Sequence, residues 1–399
     1  MKNFVLYNPV RVIFGNGESN DLGKHVQGLG KKALLVSYQM HDLLTPLLAR
    51  VEASLKAHGI EVIPFYRVQA NPLLSHIREA VEICREEKVD FCVGVGGGSV
   101  MDSTKAIAAG VLYPHDLWKM FISRHDCEVS IPPEESLPTV MVPTLPATSS
   151  EMNCIAVATN DETHEKAYIF TSALYPRISV IDPSLTCTLP AFQTAIGAVD
   201  AMSHVLEAYL NGDQFSPLQD RLHEGILVTI MDELKKILAD PSSVEHRANI
   251  QWAATLAWNG YIQSGLDAPT SMHQMGHVLS ARYNTPHGVT LAIFMDSYFR
   301  YTCTLNPERE ARFALLGKNV FGLSGSSDRA LAEETVRRFV AFMDEVGVPH
   351  TLTSAGVPVE EIPAIAEDIL QHGCDAAGNL PSIPPIGKDG ILAILHLAK

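Results

Sequence analysis

The stretch Asp90–Val111, DFCVGVGGGSVMDSTKAIAAGV, holds a strand, a glycine turn and a helix in one run. Asp90–Val95 is apolar without alternation, the pattern of a strand buried on both faces. Glycines follow at once, and Met101–Val111 then reads as helix. The chain on either side repeats the strand–helix alternation. Lys32–Tyr38 (KALLVSY) is a second continuous apolar strand. Thr45-Pro46 starts a helix with Leu47, Leu48, Val51 and Leu55 on one face, and Gly59 ends it. Ile60–Val68 reads as a strand, and Asn71-Pro72 opens a helix with Leu74, Ile77, Val81 and Cys84 at helical spacing. Phe4–Phe14 reads as two short strands broken at Asn8-Pro9. Leu137–Pro143, Cys154–Thr159 and Arg177–Ile181 supply further strands. Such alternation implies a parallel sheet covered on both faces.

Beyond about Pro183 the pattern changes. Ala191–Leu210, His223–Leu238, Arg247–Ile262 and Thr270–Tyr283 all read as helices, and helix with Gly/Pro punctuation follows. The expected organisation is an α/β, Rossmann-like N-terminal domain with a parallel sheet (1–185) and an all-helical C-terminal domain (186–399).

Composition narrows the function. The chain has 399 residues, is 46% apolar and carries a net charge of −15. A strongly acidic chain is a poor match for nucleic acid or an anionic membrane, so neither is expected as a partner. No apolar run approaches the ~20 residues needed to span a bilayer. Met1–Arg11 lacks a basic segment followed by an apolar one, so no signal peptide is expected. The seven cysteines (Cys84, Cys92, Cys127, Cys154, Cys187, Cys303 and Cys374) form no CxxC pair. Neither a disulfide framework nor a thiolate zinc site is indicated, and a cytoplasmic location is expected.

The glycine turn sits where a phosphate site needs it, after a strand and before a helix. Glycine lets backbone approach an anion, and the helix start offers N–H groups and a positive dipole end. Ser99 is placed to cap the helix or to donate to a phosphate. The dinucleotide fingerprint is only partly met. Gly94 and Gly96 fit, Ser99 stands at the third glycine position, and the turn follows the third or fourth strand instead of the first. A tight turn without ligand is the plainer alternative.

Asp200 and His204 lie four apart in GAVDAMSHVLEAY, on one helix face. His273 and His277 repeat the spacing in SMHQMGHVLSARY, and His287 follows in NTPHG. A carboxylate among imidazoles suits Zn²⁺ or Fe²⁺ better than Ca²⁺ or Mg²⁺, which prefer all-oxygen shells. Asp200 also sits in an apolar stretch, where a buried carboxylate needs a cation. Spacing leaves His277 and His287 equal as third imidazole.

Gly96-Gly97-Gly98-Ser99-x-x-Asp102, Pro143-Thr144-Leu145-Pro146-Ala147-Thr148-Ser149-Ser150-Glu151, Asp200-x-x-x-His204 and His273-x-x-x-His277-x9-His287-Gly288 occur in this order. The ordered set resembles the iron-containing (group III) alcohol dehydrogenase family from end to end, nearest its butanol dehydrogenase and aldehyde reductase branch. The resemblance implies hydride transfer between a small alcohol or aldehyde and NAD or NADP, with Fe²⁺ (or Zn²⁺) bound, in a cleft between the two domains. A homodimer or larger homo-oligomer is compatible with it. Carried over by position, Asp200, His204, His273 and His287 match metal ligands, and His277 a histidine near the reacting centre. Gly97, Gly98, Ser99 and Asp102 belong to the pyrophosphate motif. Thr144, Leu145, Lys166 and Asn71 match other cofactor contacts. One departure stands at Tyr38, where NAD users of the family carry an acid that holds the ribose 2′-hydroxyl. A neutral side chain there lifts repulsion of a 2′-phosphate and favours NADP.

Dehydroquinate synthase, a lyase that also holds NAD and a metal, is the alternative. It needs several cations near the metal to grip a phosphate and a carboxylate. The segments flanking the ligand candidates offer only Arg282.

Overall fold

The computed structural model describes residues 1–39, 43–122, 130–212 and 216–399; Cys127 lies outside them. The chain divides into two compact units. One comprises Tyr7–Leu189 with Asp240–Gly260, the other Met1–Leu6, Pro190–Ala239 and Tyr261–Lys399.

The first unit runs β1 (Arg11–Phe14), α1 (Leu22–His25), β2 (Lys32–Tyr38), α2 (Thr45–Ala57), β3 (Glu61–Val68), α3 (Leu74–Glu87), β4 (Phe91–Gly96), α4 (Gly98–Leu112), β5 (Thr139–Pro143), β6 (Ile155–Thr159), β7 (Lys166–Phe170) and β8 (Ile178–Ile181). In the second unit α5 (Ala191–Asn211) and α6 (Pro217–Ala239) come first. Helix α7 (Val244–Ala257) returns to the first unit. Helices α8 (Ser271–Tyr283), α9 (His287–Thr302), α10 (Pro307–Phe321), α11 (Asp328–Glu345), α12 (Ile362–His372) and α13 (Lys388–Leu397) complete the second.

Six strands form one parallel sheet in the order β3-β2-β4-β5-β8-β1. Every residue of β4 and β5 is buried, which is why these strands read as unbroken apolar runs. Leu34 and Val36 enter one core with α3 and α4, and Ala33 and Leu35 enter another with α2. Strands β6 and β7 form a separate antiparallel hairpin, with Thr159 opposite Lys166. The alanine-rich α4 is buried on most sides. A Cβ on Gly94 would stand 2.6 Å from Oγ1 of Thr104. The absence of that carbon lets α4 lie directly on β4.

Three local readings change. Of Phe4–Phe14 only Arg11–Phe14 pairs; Phe4–Tyr7 has strand-like composition but no ladder among the described residues, and all four side chains are exposed. Helix α3 starts at Leu74, because Asn71 sits in the left-handed region at φ 59° and Asn71–Leu73 form a loop. The helix expected to reach Ile262 ends at Ala257, and Gly260 turns the chain at φ +92°. Strand β7, short and only partly buried, was not legible. Among the described residues no helix is long and apolar enough to cross a membrane.

Candidate cofactor and metal sites

Strand order reverses between β2 and β4. From β2 the chain goes outward to β3, while β4 begins the run to the other edge. Ligands of open α/β sheets bind beyond the strand ends at such a reversal. Tyr38 ends β2 there, and Gly96-Gly97-Gly98 ends β4 and starts α4. Gly97 occupies the position before the helix and no side chain caps it. The helix start therefore presents its amides and dipole to an anion.

Three of the expected cofactor contacts, Tyr38, Thr144 and Leu145, lie around this turn. The Thr144 amide donates to the Gly96 carbonyl at 3.0 Å, which places Leu145 beside Gly97. The Tyr38 hydroxyl lies against Gly97, 3.0 Å from where a Cβ on that residue would stand. Burial pushes its pKa up to about 12, so the phenol is neutral at physiological pH. The Lys166 ammonium donates to Oδ1 of Asn71 at 3.0 Å, so these two sequence candidates meet on one side of the hairpin. Asp102 faces inward instead. Its carboxylate accepts from Ser150 Oγ at 2.6 Å and from the Val157 amide at 3.0 Å. Burial raises its pKa, opposed by the charge of Lys105.

Lys105 was not singled out by sequence. Its ammonium is fully buried and donates to Ser150 Oγ, Asn153 Oδ1 and the Ile155 carbonyl at 2.8–3.0 Å. Burial lowers its pKa to about 8. Through Ser150 and Asn153 it ties α4 to the segment after β5. The Pro143–Glu151 motif thus has a role in holding the turn, and a lysine one turn after Asp102 on a buried helix was the available signal.

In the second unit Asp200 and His204 project from α5, His273 and His277 from α8, and His287 from the start of α9. Gly288 allows this start to approach α5, since a Cβ there would lie 2.2 Å from the Ile196 carbonyl oxygen. Ligand atoms of Asp200, His204 and His273 all lie within 4.8 Å of one another, and the three residues are buried. Nε2 of His287 is 3.8 Å from Oδ1 of Asp200, and Nε2 of His204 is 4.0 Å from it. The His204 and His273 rings stack at 4.6 Å. The His277 ring lies 6.3 Å from that of His273 and 5.4 Å from that of His287. Burial, then the neighbouring His273, holds His204 well below the usual imidazole range, so its ring is neutral. One carboxylate oxygen with three imidazole nitrogens is a donor set that fits Fe²⁺ or Zn²⁺.

Sequence reading missed Glu207. It lies on α5 seven residues after Asp200 and three after His204, and it is fully buried. One carboxylate oxygen accepts from the Met272 amide at 2.6 Å; the other bonds Nδ1 of His273. Burial pushes its carboxyl well above the usual range, opposed by the backbone amides of Met272 and His273.

Comparison with known proteins agrees with this geometry. Residues 9–183 match the family model for iron-containing alcohol dehydrogenase, and residues 194–398 match its C-terminal counterpart. A probable NADH-dependent butanol dehydrogenase of Bacillus subtilis is 38% identical over 99% of both chains. An NADPH-dependent aldehyde reductase of Escherichia coli is 33% identical over 95% of both. The crystal structure of NADH-dependent butanol dehydrogenase A from Thermotoga maritima superposes with a TM-score of 0.92 at 37% identity, covering 100% of this chain and 99% of that one. Both family models are those of dehydrogenases, and neither supports the lyase alternative.

Proposed function

The chain belongs to the iron-containing alcohol dehydrogenase family and is an NAD(P)- and metal-dependent oxidoreductase; from that premise we propose that it interconverts small, apolar alcohols and aldehydes, with NADPH preferred. The meeting of Asp200, His204, His273 and His287 carries this reading, since no charged group beyond the donor set and Glu207 is needed to explain the site. Fe²⁺ or Zn²⁺ in this donor set supplies Lewis acidity toward the substrate oxygen, and the nicotinamide gives or takes the hydride.

The chain's own residues do the rest. Asp200, His204, His273 and His287 hold the cation. The amides at the start of α4 hold the pyrophosphate, with Gly97, Gly98 and Ser99 at the turn and Thr144 and Leu145 beside it. Lys166 and Asn71 contact the cofactor, while Asp102 and Lys105 hold the helix that presents the turn. His277 carries the alcohol proton, its ring 5.4 Å from that of His287 and 6.3 Å from that of His273.

A cytoplasmic location accords with the scattered spacing of the seven cysteines. A homodimer or larger assembly is supported by the exposed apolar run Phe4–Tyr7, and sedimentation velocity tests it. The activity is tested by steady-state rates with butanal and NADPH or NADH after reloading with Fe²⁺ or Zn²⁺. Turnover that is indifferent to metal removal overturns the reading.

A further inference from the structure

We infer that Glu207 is a positioning residue that sets the affinity of the metal site by fixing the tautomer of His273. This rests on the reading of Asp200, His204, His273 and His287 as metal ligands. The argument starts from a count of donors and acceptors. The Met272 amide donates to one oxygen of Glu207, and Nδ1 of His273 meets the other. With Glu207 ionised both oxygens only accept, so Nδ1 is the donor toward it. With the His273 proton held on Nδ1, the ring's lone pair lies on Nε2. His273 is the residue that contributes a ligand atom to the cluster with Asp200 and His204. The alternative tautomer places a proton on Nε2 and removes that donor.

Burial makes the arrangement one-directional. Glu207 is fully inaccessible, so no bulk water replaces a missing acceptor. The Met272 amide cannot change its hydrogen-bonding sense. Glutamine at 207 has nearly the same shape but only one acceptor oxygen. If that oxygen serves Met272, its NH₂ faces Nδ1 of His273, which must then become an acceptor, and the proton moves to Nε2. A purely structural glutamate would be replaced by glutamine with little change at the metal site. A tautomer-fixing one would not. Carboxylates behind ligating histidines typically influence metal affinity about 10–100-fold.

The test compares wild type with Glu207→Gln and Glu207→Asp by Zn²⁺ competition against a chromophoric chelator. Thermal melting checks that each variant folds. The expected result is Zn²⁺ affinity lowered on the order of 10–100-fold in Glu207→Gln, with a smaller loss in Glu207→Asp, which keeps two acceptors. A measurement on the wild type alone guards against a variant that does not fold. In the metal-free protein at pH 8, ¹⁵N-histidine spectra should show His273 protonated on Nδ1. An Nε2-protonated His273 in wild type overturns the inference, as does unchanged Zn²⁺ affinity in Glu207→Gln. Wild type that binds no Zn²⁺ at these residues instead overturns the metal-site reading, and this inference falls with it.

Discussion

Nε2 of His287 stands 3.8 Å from Oδ1 of Asp200. Two ligands held at about 2.1 Å from a tetrahedral cation stand about 3.4 Å apart. The pair therefore needs only a small inward shift to share an ion, and the 4.0 Å pair of His204 and Asp200 is similar. We predict that Asp200→Ala, His204→Ala, His273→Ala and His287→Ala each abolish stoichiometric metal and activity. Elemental analysis of purified variants decides it, and full occupancy in His287→Ala removes that residue from the ligand set.

His277 gives the contrasting case. Its ring is 6.3 Å from that of His273, on the same helix one turn away. His277→Ala should keep most of its metal and lose turnover by about 10²–10⁴-fold, the range for removing a proton-transfer group. Loss of the metal would make His277 a ligand instead.

At the cofactor end the decisive position is Tyr38. Its phenol is neutral and packs against Gly97. It therefore brings no negative charge to the turn. Tyr38→Asp should move preference toward NADH. A carboxylate beside a 2′-phosphate costs on the order of 1–3 kcal/mol in a partly screened site, roughly ten- to hundredfold. Losing the contact to Gly97 affects both cofactors, so the reading is the ratio of kcat/KM for NADPH and NADH. An unchanged ratio eliminates Tyr38 as the discriminator.

Gly98 is required before any cofactor binds. A Cβ there would lie 2.5 Å from Cγ2 and 2.9 Å from Oγ1 of Thr148. Gly98→Val would thus disturb the turn itself and cannot isolate the pyrophosphate contact. Gly98→Ala should lower stability by about 1–3 kcal/mol through overpacking. Thr148→Ala, which removes both of the nearest atoms, should recover part of that loss. Chemical denaturation of the two single variants and the double variant measures the coupling. Strict additivity would show that Thr148 is not the obstacle.

A pH effect is expected in the second unit. His350 on the second unit bridges Asp296 and Asp344, with each ring nitrogen 2.9 Å from a carboxylate oxygen. Asp296 also accepts from Arg300. The bond to Asp296, and less so that to Asp344, raises the His350 pKa against the effect of burial. Folding thus favours the proton. The stabilisation is complete below the unfolded pKa of about 6.5 and fades as pH rises through the higher folded value. His350→Gln should flatten this part of the stability profile between pH 6 and 9. Denaturation midpoints with the same slope as wild type would contradict it.

Much of this was legible in the chain. KALLVSY and DFCVGVG announce their strands because burial on both faces leaves no polar residue to break the run. KAYIF did not, because β7 pairs with β6 alone and keeps partly exposed positions. Phe4–Tyr7 has the composition of a strand, but a strand exists only with a partner. Asp200 and His204 could be paired from their spacing on one helix. Spacing could not tell that the start of α9 approaches α5 at Gly288 and Ile196, which brings His287 within 3.8 Å of Asp200. Glu207 shows the limit differently, since its helical spacing was visible but its partners Met272 and His273 come from another helix.

The excursion of Asp240–Gly260 has a consequence for synthesis on the ribosome. The α/β unit is closed by residues that emerge late. The Trp258 amide donates to Ser149 Oγ at 2.9 Å, Thr255 bonds Glu151, and Trp252 packs edge-on against Phe14. When Leu189 has been made, the sheet has all its strands but lacks this last helix. About 70 residues separate Leu189 from Gly260. At roughly 5–20 residues per second, the nascent unit waits about 4–14 s with that surface uncovered. During that interval the buried Ser149 and Glu151 lack the partners that Thr255 and Trp258 later supply.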